Sequence, residues 1–250
     1  MKTLILSSYF SIKPHPNDPG DNAVVGRGKD GYVPVSDIRY IEKWYNSIIS
    51  TNLNAVMFHD SLNDEFLDKY SNDNVQFIKV KPSDYSNNDF RFFCFSDYLN
   101  SLKDKPDCVF HTDASDVIVV KDPSTLVSEN NSIDYFTCKD SIKLEEFPYM
   151  QVHEKVGWDD SLLFMINQKD WDLINMGVIG GKFEKMLKFY REFVRIRDEL
   201  SNPHFNADMW LCQYLLRSHI QPCELMIGDP VCSDFKKYEN KRKDVFFIHK

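Results

Sequence analysis

No stretch of the sequence approaches the roughly 20 consecutive apolar residues of a membrane-spanning helix, so a soluble protein is expected. The apolar opening, residues 1–6, stops at Ser7. It is too short for a signal-peptide core and no small-residue cleavage site follows, which points to the cytoplasm. Basic residues are in deficit: 30 Lys and Arg against 38 Asp and Glu leave a formal net charge of −8. That balance argues against nucleic acid or an anionic membrane as the main partner. An acidic protein that binds an anion needs a metal, helix termini or a local basic cluster. None of the six cysteines (Cys94, Cys108, Cys138, Cys212, Cys223, Cys232) forms a CxxC pair. In a chain this long they do not read as a disulfide framework, so reduced, mostly buried thiols are expected. A GxSxG nucleophile motif, an internal repeat and a low-complexity linker are all missing as well.

What is present is globular material. A composition 42% hydrophobic and 27% charged excludes overall disorder, and 19 Phe with 12 Tyr suffice for a core with rings left over for ligand stacking. The 250 residues fit one domain, 1–250. Extended segments are expected at 3–9, 54–59, 75–80, 108–112, 117–120, 133–138 and 245–249. Helical spacing marks 37–50, with Ser36 as its N-cap, then 63–70, 89–102, 181–200 and 207–217. Segments 161–167 and 177–180 read as extended, on either side of a helix-like or irregular stretch around Trp171. A long polar loop covers 11–36. This alternation predicts an α/β fold, a mostly parallel central sheet flanked by helices, with ligands at the carboxyl ends of its strands.

Gly26, Gly28 and Gly31 match GxGxxG, but that pattern binds dinucleotides only between a strand and the start of a helix. Only Ala23-Val24-Val25 precedes it, and Pro34 follows within three residues. A loop whose Arg27 and Lys29 close over a diphosphate is the better reading.

The strongest chemical signal is Asp113-Ala-Ser-Asp116, directly after the apolar run 108–112. Two carboxylates three residues apart in a buried turn repel each other and are costly to desolvate. A hard divalent cation, Mg²⁺ or Mn²⁺, removes both problems and shares its remaining positions with substrate phosphates. The competing reading is a surface turn in which the aspartates cap the backbone. The position after a buried strand favours the metal.

His111-Thr-Asp113-Ala-Ser-Asp116-Val117 resembles the DxxD variant of the DxD motif of GT-A glycosyltransferases. It is similar to the TDxxDV turn in the glycosyltransferase domain of procollagen lysyl hydroxylases and related bacterial and viral enzymes. Asn175-Met-Gly177-Val-Ile-Gly180-Gly181 resembles the NSGxxxG segment of that family, with Met176 in place of the usual small residue. Asn206-Ala-Asp208-Met-Trp-Leu resembles its later acidic motif, and Phe246-Phe-Ile-His249 its closing strand. The four motifs stand in family order across almost the whole chain.

The resemblance implies a GT-A fold with a nucleotide-binding half, 1–120, and an acceptor-binding half, 121–250. It implies transfer of a sugar from a nucleoside diphosphate sugar to a hydroxyl of a glycan, glycoprotein or glycolipid. Asp113 (directly or through water), Asp116 and His249 would hold Mn²⁺ or Mg²⁺. Ser7, Ser8 and Tyr9 would receive base and ribose, and Thr112, Ala114 and Ser115 would face the donor. Arg91 would meet donor phosphate or carboxylate, with Lys250 as a point charge on the diphosphate. Asn175, Gly177 and Gly180 would admit the sugar close to the backbone, and Asp208 would orient or deprotonate the acceptor.

Asp159 and Asp160 read as a loop pair able to hydrogen-bond acceptor sugar. Trp158, Trp171 and Trp210 are stacking candidates, with core packing expected for two of the three. Two rival functions remain. A sugar-1-phosphate nucleotidyltransferase would carry a Gly- and basic-rich loop after the first strand, where this chain has Ser7-Ser-Tyr-Phe10. A non-catalytic sugar-nucleotide-binding domain would bind donor without turning it over.

Overall fold

Apolar runs bounded by polar residues become the strands of one large sheet. The computed structural model describes residues 1–13, 25–28, 31–237, 239 and 241–250. In chain order the elements begin with β1 (Thr3–Tyr9), β2 (Val25–Gly28), β3 (Gly31–Val33), α1 (Glu42–Thr51), β4 (Asn54–His59), α2 (Asp64–Tyr70) and β5 (Val75–Lys79). Then come α3 (Asn87–Ser101), β6 (Cys108–Thr112), β7 (Val117–Val119), α4 (Ser124–Glu129), β8 (Tyr135–Lys143), α5 (Tyr149–Val156) and α6 (Asp159–Asn167). The chain ends with β9 (Asp172–Lys182), α7 (Phe183–Glu199), α8 (Asp208–Ser218), β10 (Leu225–Ile227) and β11 (Phe247–His249).

The main sheet has the order β10-β8-β9-β6-β1-β4-β5. Pairings β6-β1-β4-β5 and β10-β8 are parallel, while β9 runs antiparallel between β6 and β8. This is the expected α/β class with a mostly parallel sheet. Alternation along β1 divides the core: Leu4 and Leu6 join Phe92, Phe95, Phe193 and Leu211 on the face covered by α3, α7 and α8. Ile5 and Tyr9 join Trp44, Ile48, Phe66 and Leu126 under α1, α2 and α4. Capping follows composition, with Ser86 Oγ accepting from Asp89 N at α3 and Asn63 Oδ1 from Phe66 N at α2.

Two irregularities aim residues at the site. β11 pairs antiparallel with β7, which sets His249 opposite Val117 and therefore beside the Asp113–Asp116 turn. In β9, Ile179 pairs with Thr137 but Asn175 pairs with the next residue, Cys138, so residues 176–178 leave that ladder. The resulting bulge redirects the strand at its centre, as bulges beside functional sites commonly do.

Several expectations are corrected. Ser36 does not cap a helix; it takes a left-handed φ of 64°, and Asp37 caps a short 3₁₀ turn ahead of α1 by accepting from Arg39 N. Residues 161–167 are helical, not extended: α6 buries Met165 completely while Leu163 and Ile166 face solvent. Around Trp171, just before β9, the irregular one of the two expected alternatives holds. The cysteines are not all reduced, because Cys138 and Cys232 form a disulfide, Cα–Cα 5.3 Å, between β8 and the segment leading to β11. The GxGxxG glycines belong to a two-stranded ribbon in which Gly28 pairs with Gly31, not to a strand–helix turn. Lys29 and half of the 11–36 loop lie outside the described residues, and with them the expected closure over a diphosphate. No helix among the described residues is long and apolar enough to cross a membrane.

Candidate active site

Beyond the carboxyl ends of β1 and β6 the molecule opens into a cleft of ≈ 770 Å³. Its floor is the turn after β6. Ser7 Oγ donates to the Thr112 carbonyl (2.7 Å), Trp44 Nε1 donates to Thr112 Oγ1 (2.7 Å), and Asp113 N donates to the Gly177 carbonyl (2.8 Å). These bonds tie the strand end to β1, α1 and the β9 bulge. Ser7 and Thr112 are buried clamps that do not line the cleft, whereas Ser8, Tyr9, Ala114 and Ser115 do.

Asp113, Asp116 and His249 each bring one donor atom within 4.8 Å of the others. His249 Nε2 lies 3.6 Å from Asp116 Oδ2. Among the described residues neither Asp116 Oδ1 nor His249 Nδ1, both buried, has a hydrogen-bond partner, a state that costs about 1–3 kcal/mol per group unless something binds there. Two carboxylates and an imidazole suit Mn²⁺ or Mg²⁺, so the residues present fit a divalent cation. His249 is held from several sides: its N–H donates to Ser233 Oγ (3.0 Å) and the Phe235 ring lies 4.3 Å away. A Cβ on Gly177 would sit 2.1 Å from His249 Cε1, so this glycine makes room for the imidazole. Gly180 is turned away from the cleft; a Cβ there would meet Phe110 at 2.1 Å, and its role is close packing within the sheet. Lys250 does not line the cleft either, and its N–H donates to the Asp116 carbonyl (3.1 Å).

Arg91, buried in α3, joins two acids. Its Nη1 pairs with Asp113 and its Nη2 with Asp208 Oδ2 at 3.0 Å. Burial alone would raise the Asp113 carboxyl, but Arg91 first, then His249 and His111, hold it below the ordinary value. Asp208 goes the other way: burial raises it, and Arg91 only partly offsets that. The expected donor-binding arginine is thus engaged by two carboxylates of the cleft. Asp208 opens α8 and accepts from Met209 N (2.7 Å). The loop before it is clamped by a fully buried pair: Arg197 Nε donates to Asp89 Oδ2 (2.7 Å), and Arg197 Nη2 donates to the carbonyls of Asn202, Pro203 and Phe205. Asn175 spans the β9 bulge, donating to Asp140 Oδ2 (3.0 Å) and accepting from Gly177 N (2.9 Å).

The expected aromatic helpers and Asp159 lie elsewhere, and the Asp160 side chain is outside the described residues. Trp210 is buried, Trp158 packs on it and on Tyr214, and Trp171 stacks under Arg217. Asp159 is a solvated residue at the start of α6. The rings lining the cleft are instead Tyr9, Phe10, Tyr40, Phe147, Phe205 and Phe235, with Lys236 exposed beside them. Tyr40, hydrogen-bonded to Ser115, is pushed up to about 12 by burial, with Asp113 and Asp116 adding to it. Tyr40 ends the short 3₁₀ turn ahead of α1, and Phe235 and Lys236 come from the irregular segment before β11.

No protein-family model and no curated protein sequence matches this chain. Solved structures do match. A glycosyltransferase involved in the glycosylation of the major capsid of PBCV-1 aligns over 100% of this chain and 92% of its own, with TM-score 0.51 and 14% identity. The bifunctional glycosyltransferase WbbM aligns over 99% of this chain, TM-score 0.54, 14% identity. The fold is a glycosyltransferase fold. This chain spans less than half of WbbM, 45% of that protein's length. At such identity the likeness concerns the fold, while the chemistry rests on the cleft.

Proposed function

We propose that the protein is a metal-dependent glycosyltransferase that moves a sugar from a nucleoside diphosphate sugar to an acceptor hydroxyl on a glycan, glycoprotein or glycolipid. The observation that carries this reading is the convergence of Asp113, Asp116 and His249, with two buried atoms left unpartnered, at the strand ends of a glycosyltransferase fold. Asp116 and His249 would be direct ligands of Mn²⁺ or Mg²⁺, and Asp113, already paired with Arg91, a ligand directly or through water. The cation supplies Lewis-acid neutralisation of charge on the departing diphosphate.

The remaining roles belong to the chain itself. Tyr9 and Tyr40, lining the cleft, would offer rings to the base, and Lys236, exposed beside them, would offer a cation to the diphosphate. Asn175, Asp140 and the bulge present polar groups to the sugar. Asp208 accepts a hydrogen bond from the acceptor hydroxyl and orients it, while Arg91 keeps that carboxylate in place. In this division residues 1–120 serve base and ribose, while residues 121–250 orient the acceptor and also send His249 and Lys236 to the metal and diphosphate. With Mn²⁺ present, one of a panel of nucleoside diphosphate sugars should release nucleoside diphosphate; Asp116→Asn should slow that release at least tenfold, and an unchanged rate would reject the assignment. The Arg91–Asp113 ion pair favours a second reading, a sugar-nucleotide-binding domain without transfer. Metal-dependent binding with no turnover, by any acceptor or by water, would identify it.

A further inference from the structure

His249 has a second set of neighbours besides the carboxylates. The sulfurs of Cys138, in β8, and Cys232, which bridges to Phe247 of β11, lie with an imidazole nitrogen of His249 inside a 4.8 Å span. All three residues are buried, at 0%, 0% and 1% exposure, and His249 Nδ1 has no hydrogen-bond partner. A tetrahedral zinc ion holds sulfur at about 2.3 Å and imidazole nitrogen at about 2.0–2.1 Å, which sets its donor atoms roughly 3.6–3.8 Å apart. The three donors lie close enough for one ion once the disulfide is opened and the sulfurs separate.

We propose that the dithiol form of this protein binds a borderline-soft divalent cation, Zn²⁺ or its spectroscopic substitute Co²⁺, through Cys138, Cys232 and His249. A dithiol reductant delivers two electrons and two protons to the Cys138–Cys232 disulfide and itself becomes a disulfide. Each thiol then gives its proton to solvent as the cation binds, two protons per ion. Thiolates select zinc over magnesium and manganese, whereas Asp113 and Asp116 make the reverse selection. One imidazole is shared by the two donor sets, so zinc on the sulfurs withdraws His249 from the carboxylates. This competition rests on the metal reading above; binding to the sulfurs does not.

Both sulfurs are buried, so the dithiol form is best obtained by producing the protein under reducing, metal-free conditions and confirming by alkylation and mass that no disulfide is present. Titration with Co²⁺ should give a thiolate-to-cobalt charge-transfer band saturating at one ion per chain, displaced by Zn²⁺. The oxidised protein should show no band, and Cys232→Ser a diminished one. A folded dithiol protein without the band, or Cys232→Ser with undiminished intensity, overturns the site. Should the metal-free dithiol chain not fold, production with Zn²⁺ supplied decides: one zinc per folded chain supports the site, and a folded, zinc-free chain overturns it. One equivalent of Zn²⁺ should weaken Mn²⁺ binding at least tenfold more in the dithiol form than in the oxidised form, where Zn²⁺ competes only at the carboxylate site. Absence of Mn²⁺ binding in both forms would reject the carboxylate site and leave the cobalt result standing.

Discussion

Gly177→Ala tests the metal site through a residue that is not itself a ligand. The φ of Gly177 lies outside the left-handed region, so the backbone accepts alanine. The added methyl, however, starts 2.1 Å from His249 Cε1 and 2.4 Å from Nε2, where ordinary contact begins at 3.4 Å. The ring must therefore retreat from 2.1 to at least 3.4 Å, by about 1.3 Å, and Phe235, with its ring centroid 4.3 Å from that of His249, limits the room around it. Metal bonds tolerate deviations of only about 0.2 Å, so the displacement removes His249 from the coordination shell. Loss of one neutral ligand should weaken Mn²⁺ binding roughly 10–100-fold, about 1.4–2.7 kcal/mol. Overpacking should destabilise the metal-free fold by about 1–3 kcal/mol. The assay is a Mn²⁺ titration followed by electron paramagnetic resonance, with thermal unfolding in EDTA alongside. Wild-type Mn²⁺ affinity in a folded Gly177→Ala protein would show that His249 is not a ligand.

Other perturbations probe the surrounding charges. Arg91→Met leaves Asp208 buried without its cation and Asp113 unpaired; urea unfolding should show a loss of about 3–5 kcal/mol, part of it recovered with Mn²⁺, and an unchanged midpoint would contradict the network. His111 is pushed down to about 3 by burial and by Arg91, against 6.5 for the free side chain. Between those values the unfolded chain binds a proton that the native one does not, so stability falls as pH falls through this window. The loss should reach about 2 kcal/mol at pH 5 and roughly 5 kcal/mol at its limit. His111→Leu should flatten the dependence in thermal scans from pH 7 to 5, and an equally steep slope would refute it.

Much of the architecture is readable in the chain because local pattern and tertiary demand agree. Residues 3–9 and 108–112 are strand-like by composition and are buried on both faces, as adjacent parallel strands require. Asp113 and Asp116 stand out because carboxylates seldom follow such a strand without a purpose. The apolar run in 161–167 misleads, since a short apolar segment fits a strand and a one-sided helix equally, and only the burial of Met165 against exposed Leu163 separates them. The glycines of the NSGxxxG-like segment look alike in sequence yet serve different neighbours, Gly177 accommodating His249 and Gly180 accommodating Phe110. The disulfide was out of reach: 94 residues separate Cys138 from Cys232, and only the antiparallel insertion of β9 and the return of the chain to β11 bring them together. Tyr40, Phe235 and Lys236 reach the cleft from turns, where spacing carries no signal.

The most direct test of the central claim is calorimetric titration of a panel of nucleoside diphosphate sugars into the protein with Mn²⁺, repeated in EDTA and with Asp116→Ala. At least one donor should bind in Mn²⁺, and its binding should be lost in EDTA and in the variant. Failure of every donor to bind with metal, or binding indifferent to both EDTA and Asp116→Ala, would contradict it.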